Sequence, residues 1–163
     1  MADIRSSIVC LVLLFPQATL FGQMLRLSST SASRGDQVVI ELSLESQVGK
    51  EPVALQWETS IPATALSLLD EKLPNGSAAG EAGKSLNCAA PEKAAGTYTT
   101  RCILAGSQKS IKNGTVALLR LQVLPDAQIG TARIRVGKGL AVSGDLKSIP
   151  LEAAEAEVTI RGK

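Results

Sequence analysis

The amino-acid sequence predicts an all-β domain in which two sheets pack face to face as a sandwich. Short runs of alternating apolar and polar residues recur along the chain, and glycine, proline and asparagine-glycine pairs separate them. No apolar pattern of helical period persists for about three turns. Because aromatic residues make up 2% of the 163 residues, the core of this single domain must consist of Leu, Ile, Val and Ala.

The first 23 residues predict an export signal. Asp3 and Arg5 lie before an apolar run at 8–15, and Pro16 and small or polar residues follow it. The run is shorter than the roughly 20 residues that span a bilayer, which favours a cleaved signal peptide over a retained membrane anchor. We therefore expect a signal at 1–23 and a domain at 24–163 that is secreted, extracellular or in the cell envelope, without stable membrane insertion.

Nine strands follow from the alternation of apolar and polar residues. They are expected at 25–27, 38–45, 53–58, 66–69, 85–88, 98–105, 116–123, 131–136 and 154–161. The polar or turn-rich segments 28–36, 74–83, 89–96 and 137–151 are expected to be turns and loops. Trp57 shares the phase of Val53 and Leu55, which predicts a place in the core. Apolar residues on both faces of 116–123 indicate that this strand is buried more deeply than its neighbours.

Composition and charge argue against several classes of function. The chain has 17 basic and 15 acidic residues, a net charge of +2, scattered along the sequence, so no nucleic-acid partner is expected. Histidine is absent, which removes the commonest general base and metal ligand. No nucleophile and base pair and no calcium-loop spacing stands out. We therefore expect no enzyme, no catalytic residues, no cofactor and no metal.

Two cysteines, Cys88 and Cys102, remain once the leader is removed, and an even number in an oxidising compartment predicts one disulfide. Leu86 and Cys88 share one face of their strand, and Cys102 and Leu104 share one face of theirs, so both sulfurs can lie on the core side. Closing a loop of about 15 residues contributes roughly 3 kcal/mol to stability. A metal site is the alternative, although two thiols without histidine do not complete a tetrahedral shell.

Three stretches of the sequence resemble the cohesin-like family. They are 110–123 followed by 127–131, which is similar to the family's turn, buried seventh strand and Gly-Thr entry to the eighth, then 52–62, and then 35–44. The resemblance covers the chain from Leu25 to Ile160. It implies a nine-stranded sandwich of jelly-roll topology and a protein partner such as a dockerin module. The Cys88 and Cys102 pair resembles a variant of the family found outside the well-studied cellulose-degrading complexes.

The resemblance also implies a binding surface. In the family, strands eight, three, six and five form the sheet whose outer side meets the partner. When these strands are matched to this chain, the alternation of side chains decides which residues face that side. They are Gln56, Glu58, Arg101, Ile103, Arg133 and Arg135. Arginine and exposed isoleucine suit a contact surface, since arginine is enriched at binding hot spots. The alternative for each residue is an ordinary solvated sheet face.

Three hypotheses of function remain at this point. The first is an extracellular module that recognises a protein partner through one sheet face. The second is a carbohydrate-binding module that assists polysaccharide breakdown by stacking Trp57 or Tyr98 on a sugar ring. The third is a structural component of the cell envelope that self-associates through sheet edges.

Overall fold

A computed structural model describes residues 23–70 and 72–162 of the protein. The expected signal peptide at 1–23 lies outside the described residues, apart from Gln23. The described residues form twelve strands and one short helix. In chain order they are β1 (Met24–Leu27), β2 (Thr30–Ser33), β3 (Gln37–Glu45), β4 (Ala54–Pro62), β5 (Leu66–Leu68), α1 (Ser77–Glu81), β6 (Lys84–Cys88), β7 (Glu92–Ala94), β8 (Thr97–Gly106), β9 (Gly114–Val123), β10 (Gly130–Val142), β11 (Ser148–Leu151) and β12 (Ala154–Arg161).

The strands form two sheets. The smaller sheet has the order β1-β3-β9-β5, and the larger has the order β2-β12-β10-β4-β8-β6. Two short strands extend the larger sheet locally, since β11 pairs with β10 and β7 pairs with β8. Neighbouring strands are antiparallel except β2 and β12, which are parallel. The two-sheet sandwich predicted from the sequence is therefore confirmed.

The core lies between the two sheets and is built almost entirely from aliphatic side chains. In β4, every second residue from Leu55 to Ile61 is buried, and Trp57 is fully buried among them, as its phase predicted. Strands β8, β10 and β12 alternate in the same way. The largest fully buried side chains are Trp57, Leu25, Ile40, Leu42, Leu44, Leu55, Ile61, Leu66, Leu104, Ile111, Leu119 and Leu121. Burial of this apolar surface is the main force that holds the sheets together.

The predicted disulfide is confirmed. Cys88 in β6 lies directly opposite Cys102 in β8, and their sulfur atoms are bonded at 2.06 Å. Cys102 is fully buried, and both cysteines pack against the core. The bond therefore ties the edge strand β6 to its neighbour β8 in the larger sheet.

All nine predicted strands are present, but four segments expected to be turns and loops contain regular structure. Segment 28–36 contains β2, and segment 89–96 contains β7. Segment 137–151 was expected to be a loop, but β10 continues through it to Val142 and β11 returns beside it. Its glycines leave only a weak alternation of apolar and polar residues. Pairing with β4 and β11 stabilises the strand structure there.

The fourth segment, 74–83, contains the helix α1. A single helical turn is too short for an apolar period to emerge, although two alanines, which favour helix, are buried in it. The segment just before α1 bonds to β9, because Gly76 N–H donates to Val116 O and Leu118 N–H donates to Pro74 O. A side chain at Gly76 would overlap the carbonyl oxygen of Thr115, so this close approach requires glycine.

The packing of α1 and the residues before it on β9 explains the deep burial predicted for that strand. Val116 and Ala117 are both fully buried, although they point to opposite sides of the sheet.

Within the described part of the chain, no helix is long and apolar enough to cross a membrane.

Removing the disulfide is expected to lower the stability of the fold. Replacing Cys88 and Cys102 together with alanine should reduce the free energy of unfolding by about 3 kcal/mol, because the unfolded chain regains the entropy of an open loop. Guanidinium unfolding of the oxidised protein and the variant measures the difference. As a control, a reducing agent should destabilise the parent protein and leave the variant unchanged. Equal stabilities of parent and variant would contradict this account.

Candidate binding face

The six residues implied as partner contacts all project from one side of the larger sheet. They lie on β10, β4 and β8, which with β6 are consecutive neighbours in that sheet, the arrangement the resemblance implied. The inward positions of these strands pack in the core, so the intervening positions must face solvent. We call the solvent side of β6, β8, β4 and β10 the outer face. It presents Gln56, Glu58, Arg101, Ile103, Arg133 and Arg135.

One end of the outer face is apolar. Ile103 in β8 is 46% exposed and lies directly opposite Gln56 in β4, which in turn lies opposite Leu140 in β10. Next along the sheet, Ala54 pairs with Val142, and both are half-buried. These residues form a shallow aliphatic patch on a rigid strand framework.

The middle of the outer face carries a carboxylate held by two cations. Glu58 in β4 lies opposite Arg101 in β8, and the Arg101 guanidinium is 3.5 Å from the Glu58 carboxylate. The Lys138 ammonium is 2.9 Å from the same carboxylate. The hydrogen bond from Lys138 lowers the pKa of Glu58 below its ordinary value, with partial burial opposing the effect and Arg101 adding to it. Glu58 is therefore ionised and paired on both sides.

The third part of the outer face is a ladder of arginines. Arg135 Nε lies 2.7 Å from the Glu155 carboxylate, and Arg133 Nε lies 3.2 Å from the Glu157 carboxylate. Both glutamates lie directly opposite their arginines on the neighbouring strand β12. About 60% of each arginine side chain stays exposed. Exposed pairs of this kind contribute little to stability, so these arginines can exchange partners easily.

Lys138 reaches Glu58 because β10 contains a bulge. The register of β10 against β4 shifts between Gly137 and Leu140, and Lys138 adopts a φ of 47° there. That left-handed backbone conformation is strained for a residue other than glycine. The next residue must be small, since a Cβ at Gly139 would lie 2.7 Å from the Cβ of Leu151. The bulge thus aims a cation at the centre of the outer face.

Sequence reasoning missed several residues on the outer face or beside it. Lys138 and Leu140 fell in the segment expected to be a loop, and the bulge that places them leaves no periodic pattern. Glu155 and Glu157 lie in the strand predicted at 154–161, but the sequence does not reveal that this strand lies beside β10. The alternation of Glu155, Glu157 and Arg161 with apolar residues indicates that they face solvent, but it does not mark them as neighbours of the arginines.

The outer face offers side chains for non-covalent contacts and ion pairs. In the described part of the chain, no three residues of the His, Cys, Asp and Glu types cluster as metal ligands. Trp57 offers no platform for a sugar ring, since its side chain is fully buried. One face of the Tyr98 ring is occupied by the Lys93 ammonium, 5.3 Å from the ring centre. The outer face can therefore bind another surface through aliphatic contacts, hydrogen bonds and ion pairs.

Replacing Lys138 with methionine is expected to raise the pKa of Glu58 toward its ordinary value of 4.5, because the variant loses the hydrogen bond from the ammonium. In the parent protein this lowered pKa favours folding above the unfolded value, and the benefit is lost as the pH falls through the folded pKa. The variant should lose most of that acid-side pH dependence. An NMR titration of the Glu58 carboxyl carbon measures the change.

A matched control comes from the turn between β10 and β11. Hydrogen bonds from Lys147 and Ser143 lower the pKa of Asp145 to about 2. Replacing Lys147 with methionine should raise the pKa of Asp145 and leave that of Glu58 unchanged. If Glu58 titrated identically in the parent and in the Lys138 variant, the pairing described for the outer face would be wrong.

No protein-family model matches the chain, and no curated protein matches it either. Several solved structures share its fold. The sixth cohesin of scaffoldin B from Acetivibrio cellulolyticus, solved with a Cel5 dockerin variant, aligns with a TM-score of 0.70 at 16% identity, covering 86% of this chain and 99% of that one. The OlpA cohesin of Clostridium thermocellum, solved with the dockerin Doc918, gives 0.68 at 15% identity, covering 86% and 99%.

A non-cellulosomal cohesin from the archaeon Archaeoglobus fulgidus also aligns, with a TM-score of 0.66 at 12% identity, covering 86% of this chain and 91% of that one. At these identities the similarity concerns the fold. The cohesin-like β-sandwich with jelly-roll topology, which the sequence resemblance implied, is therefore confirmed for this chain.

Proposed function

We propose that this chain is a secreted, non-catalytic module that binds a protein partner through its outer face, and that the partner is of the dockerin class. The observation that carries the proposal is the outer face itself. It combines an exposed aliphatic end with arginines that hold only weak ion pairs. Both lie on strands of the larger sheet, which are hydrogen-bonded to their neighbours and packed against the core. Solved cohesins of the same fold hold dockerins.

A rigid surface suits this role better than a mobile one. The backbone of β4 and β8 is hydrogen-bonded on both sides, and the inner side chains of these strands are buried. A partner that docks on such strands need not order a loop, so less of the binding free energy is lost as entropy. The disulfide supports the same surface, since it fixes β6 beside β8.

Secretion is part of the proposal. The apolar run at 8–15 has the length of the hydrophobic region of a signal peptide, and the Cys88–Cys102 disulfide is stable in an oxidising compartment. A dockerin partner would then be met outside the cell or at its envelope. Expression with residues 1–23 attached in a secreting host, followed by mass spectrometry of the exported protein, tests this part. Recovery of an unprocessed, cell-retained chain would count against it.

The protein-binding proposal predicts that the chain binds at least one dockerin through Ile103. The probes are the Cel5 dockerin variant and Doc918, each titrated into the folded chain by calorimetry. Replacing Ile103 with aspartate should weaken binding roughly 30-fold, equivalent to about 2 kcal/mol, because a charge replaces an aliphatic contact.

The matched control is the replacement of Val39 with aspartate. Val39 is 50% exposed, close to the 46% of Ile103, but lies in β3 of the smaller sheet. This variant should bind as tightly as the parent. Failure of both dockerins to bind would contradict the choice of partner class, and an equal loss in the two variants would contradict the choice of face.

A further inference from the structure

We infer that the partner presents an acidic surface with an aliphatic anchor to the outer face, an inference that rests on the proposed function. The cations of the outer face would meet its carboxylates, and the aliphatic patch around Ile103 and Leu140 would meet the anchor. The argument comes from the distribution of charge, from the exposure of each charged group and from the position of the apolar residues.

The charge at the centre of the outer face is predominantly positive. Among the described residues, the three central strands β10, β4 and β8 project four cations from this side and a single carboxylate. The four cations are Arg101, Arg133, Arg135 and Lys138. The remaining acids lie at the flanks, with Glu155 and Glu157 on β12 and Glu92 on β7. A partner that covers the centre therefore meets more positive charge than negative.

Exposure strengthens this imbalance. The side chains of Arg101 and Lys138 are 61% and 74% exposed, whereas that of Glu58 between them is 16% exposed. Glu58 is paired with both cations, so it is poorly placed to receive a cation from a partner. A basic partner would face four exposed cations and would gain little from a carboxylate already held by two of them.

The arginines of the ladder can turn to new carboxylates at little cost. Arg133 and Arg135 pair with glutamates that are themselves half exposed, and such pairs are weak in water. A carboxylate from a partner can share or replace the existing one as water is excluded from the contact. Attraction between the cations and an acidic surface would also speed the encounter, and salt would reduce this effect.

The aliphatic end of the outer face argues for a protein and against an anionic polysaccharide. Ile103 and Leu140 lie in one cross-strand row, with Gln56 between them, and Ala54 and Val142 pair in the next row. A uniformly charged polymer would leave this end exposed to water. A protein surface offers carboxylates and an aliphatic side chain at fixed spacing, so it can fill both parts of the face at once.

The test uses three synthetic amphipathic helical peptides of equal length. One carries glutamate and leucine, the second replaces each glutamate with lysine, and the third keeps glutamate but replaces leucine with serine. The folded chain is observed by NMR at the Ile103 methyl groups and at the arginine Nε groups. The glutamate and leucine peptide should shift both sets of signals and bind at least five-fold more tightly than either of the others.

Neutralising the ladder supplies the second measurement. Replacing Arg133 and Arg135 with glutamine should weaken binding of the glutamate and leucine peptide roughly five-fold. The control replaces Arg26 with glutamine. Arg26 pairs with Glu45 in the smaller sheet, and the two side chains are 60% and 51% exposed, close to the values in the ladder. This variant should bind the peptide as the parent does.

Several results would overturn the inference. Equal binding of the lysine peptide, or no shift at Ile103 and the arginines with the glutamate and leucine peptide, would exclude an acidic, aliphatic partner surface. Polygalacturonate binding at the arginines as tightly as that peptide would favour a polysaccharide instead. If a dockerin bound through Ile103 but was unaffected by the two glutamine substitutions, the proposed function would stand and the acidic partner would be wrong.

Discussion

The alternation of side chains in β4, β8 and β10 is the constraint from which both the core and the outer face follow. Because successive residues point to opposite sides, each residue committed to the core sends its neighbour into solvent. Leu55, Trp57 and Ile61 fill the space between the sheets, and Gln56 and Glu58 are thereby fixed on the other side. A shift of one residue in register would exchange the two sets, and the cost of exposing the core prevents it.

This constraint explains what the sequence could predict. The nine main strands and the buried position of Trp57 follow from local alternation, which a single sequence displays, and the disulfide follows from the even number of cysteines left after the leader. The six residues of the outer face could be placed on one side because alternation along a strand determines which side of the sheet each side chain faces. The resemblance supplied the order of the strands. Pairing between distant strands has no such local signal, so the position of Glu155 and Glu157 beside the arginines could not be obtained in the same way.

The segment 137–151 shows a second limit of sequence reasoning. Its glycines predicted a loop, but Gly139 permits the close approach of β11 rather than breaking the strand. Lys138 then adopts a backbone conformation that is rare for its residue type, and the surrounding pairs hold it there. The register shift at this bulge interrupts the alternation of side chains, so the sequence shows no regular strand pattern there. The same shift delivers the ammonium of Lys138 to Glu58, at the centre of the candidate face.

The ion pairs of the outer face reconcile its positive centre with the low net charge of the chain. Four unpaired cations on adjacent strands would repel one another and attract anions without selectivity. Glu155 and Glu157 reduce that repulsion from the flank, and Glu58 reduces it from the middle. Under the proposed mode of binding, a partner would be selected by the spacing of its carboxylates and by its fit to the aliphatic end.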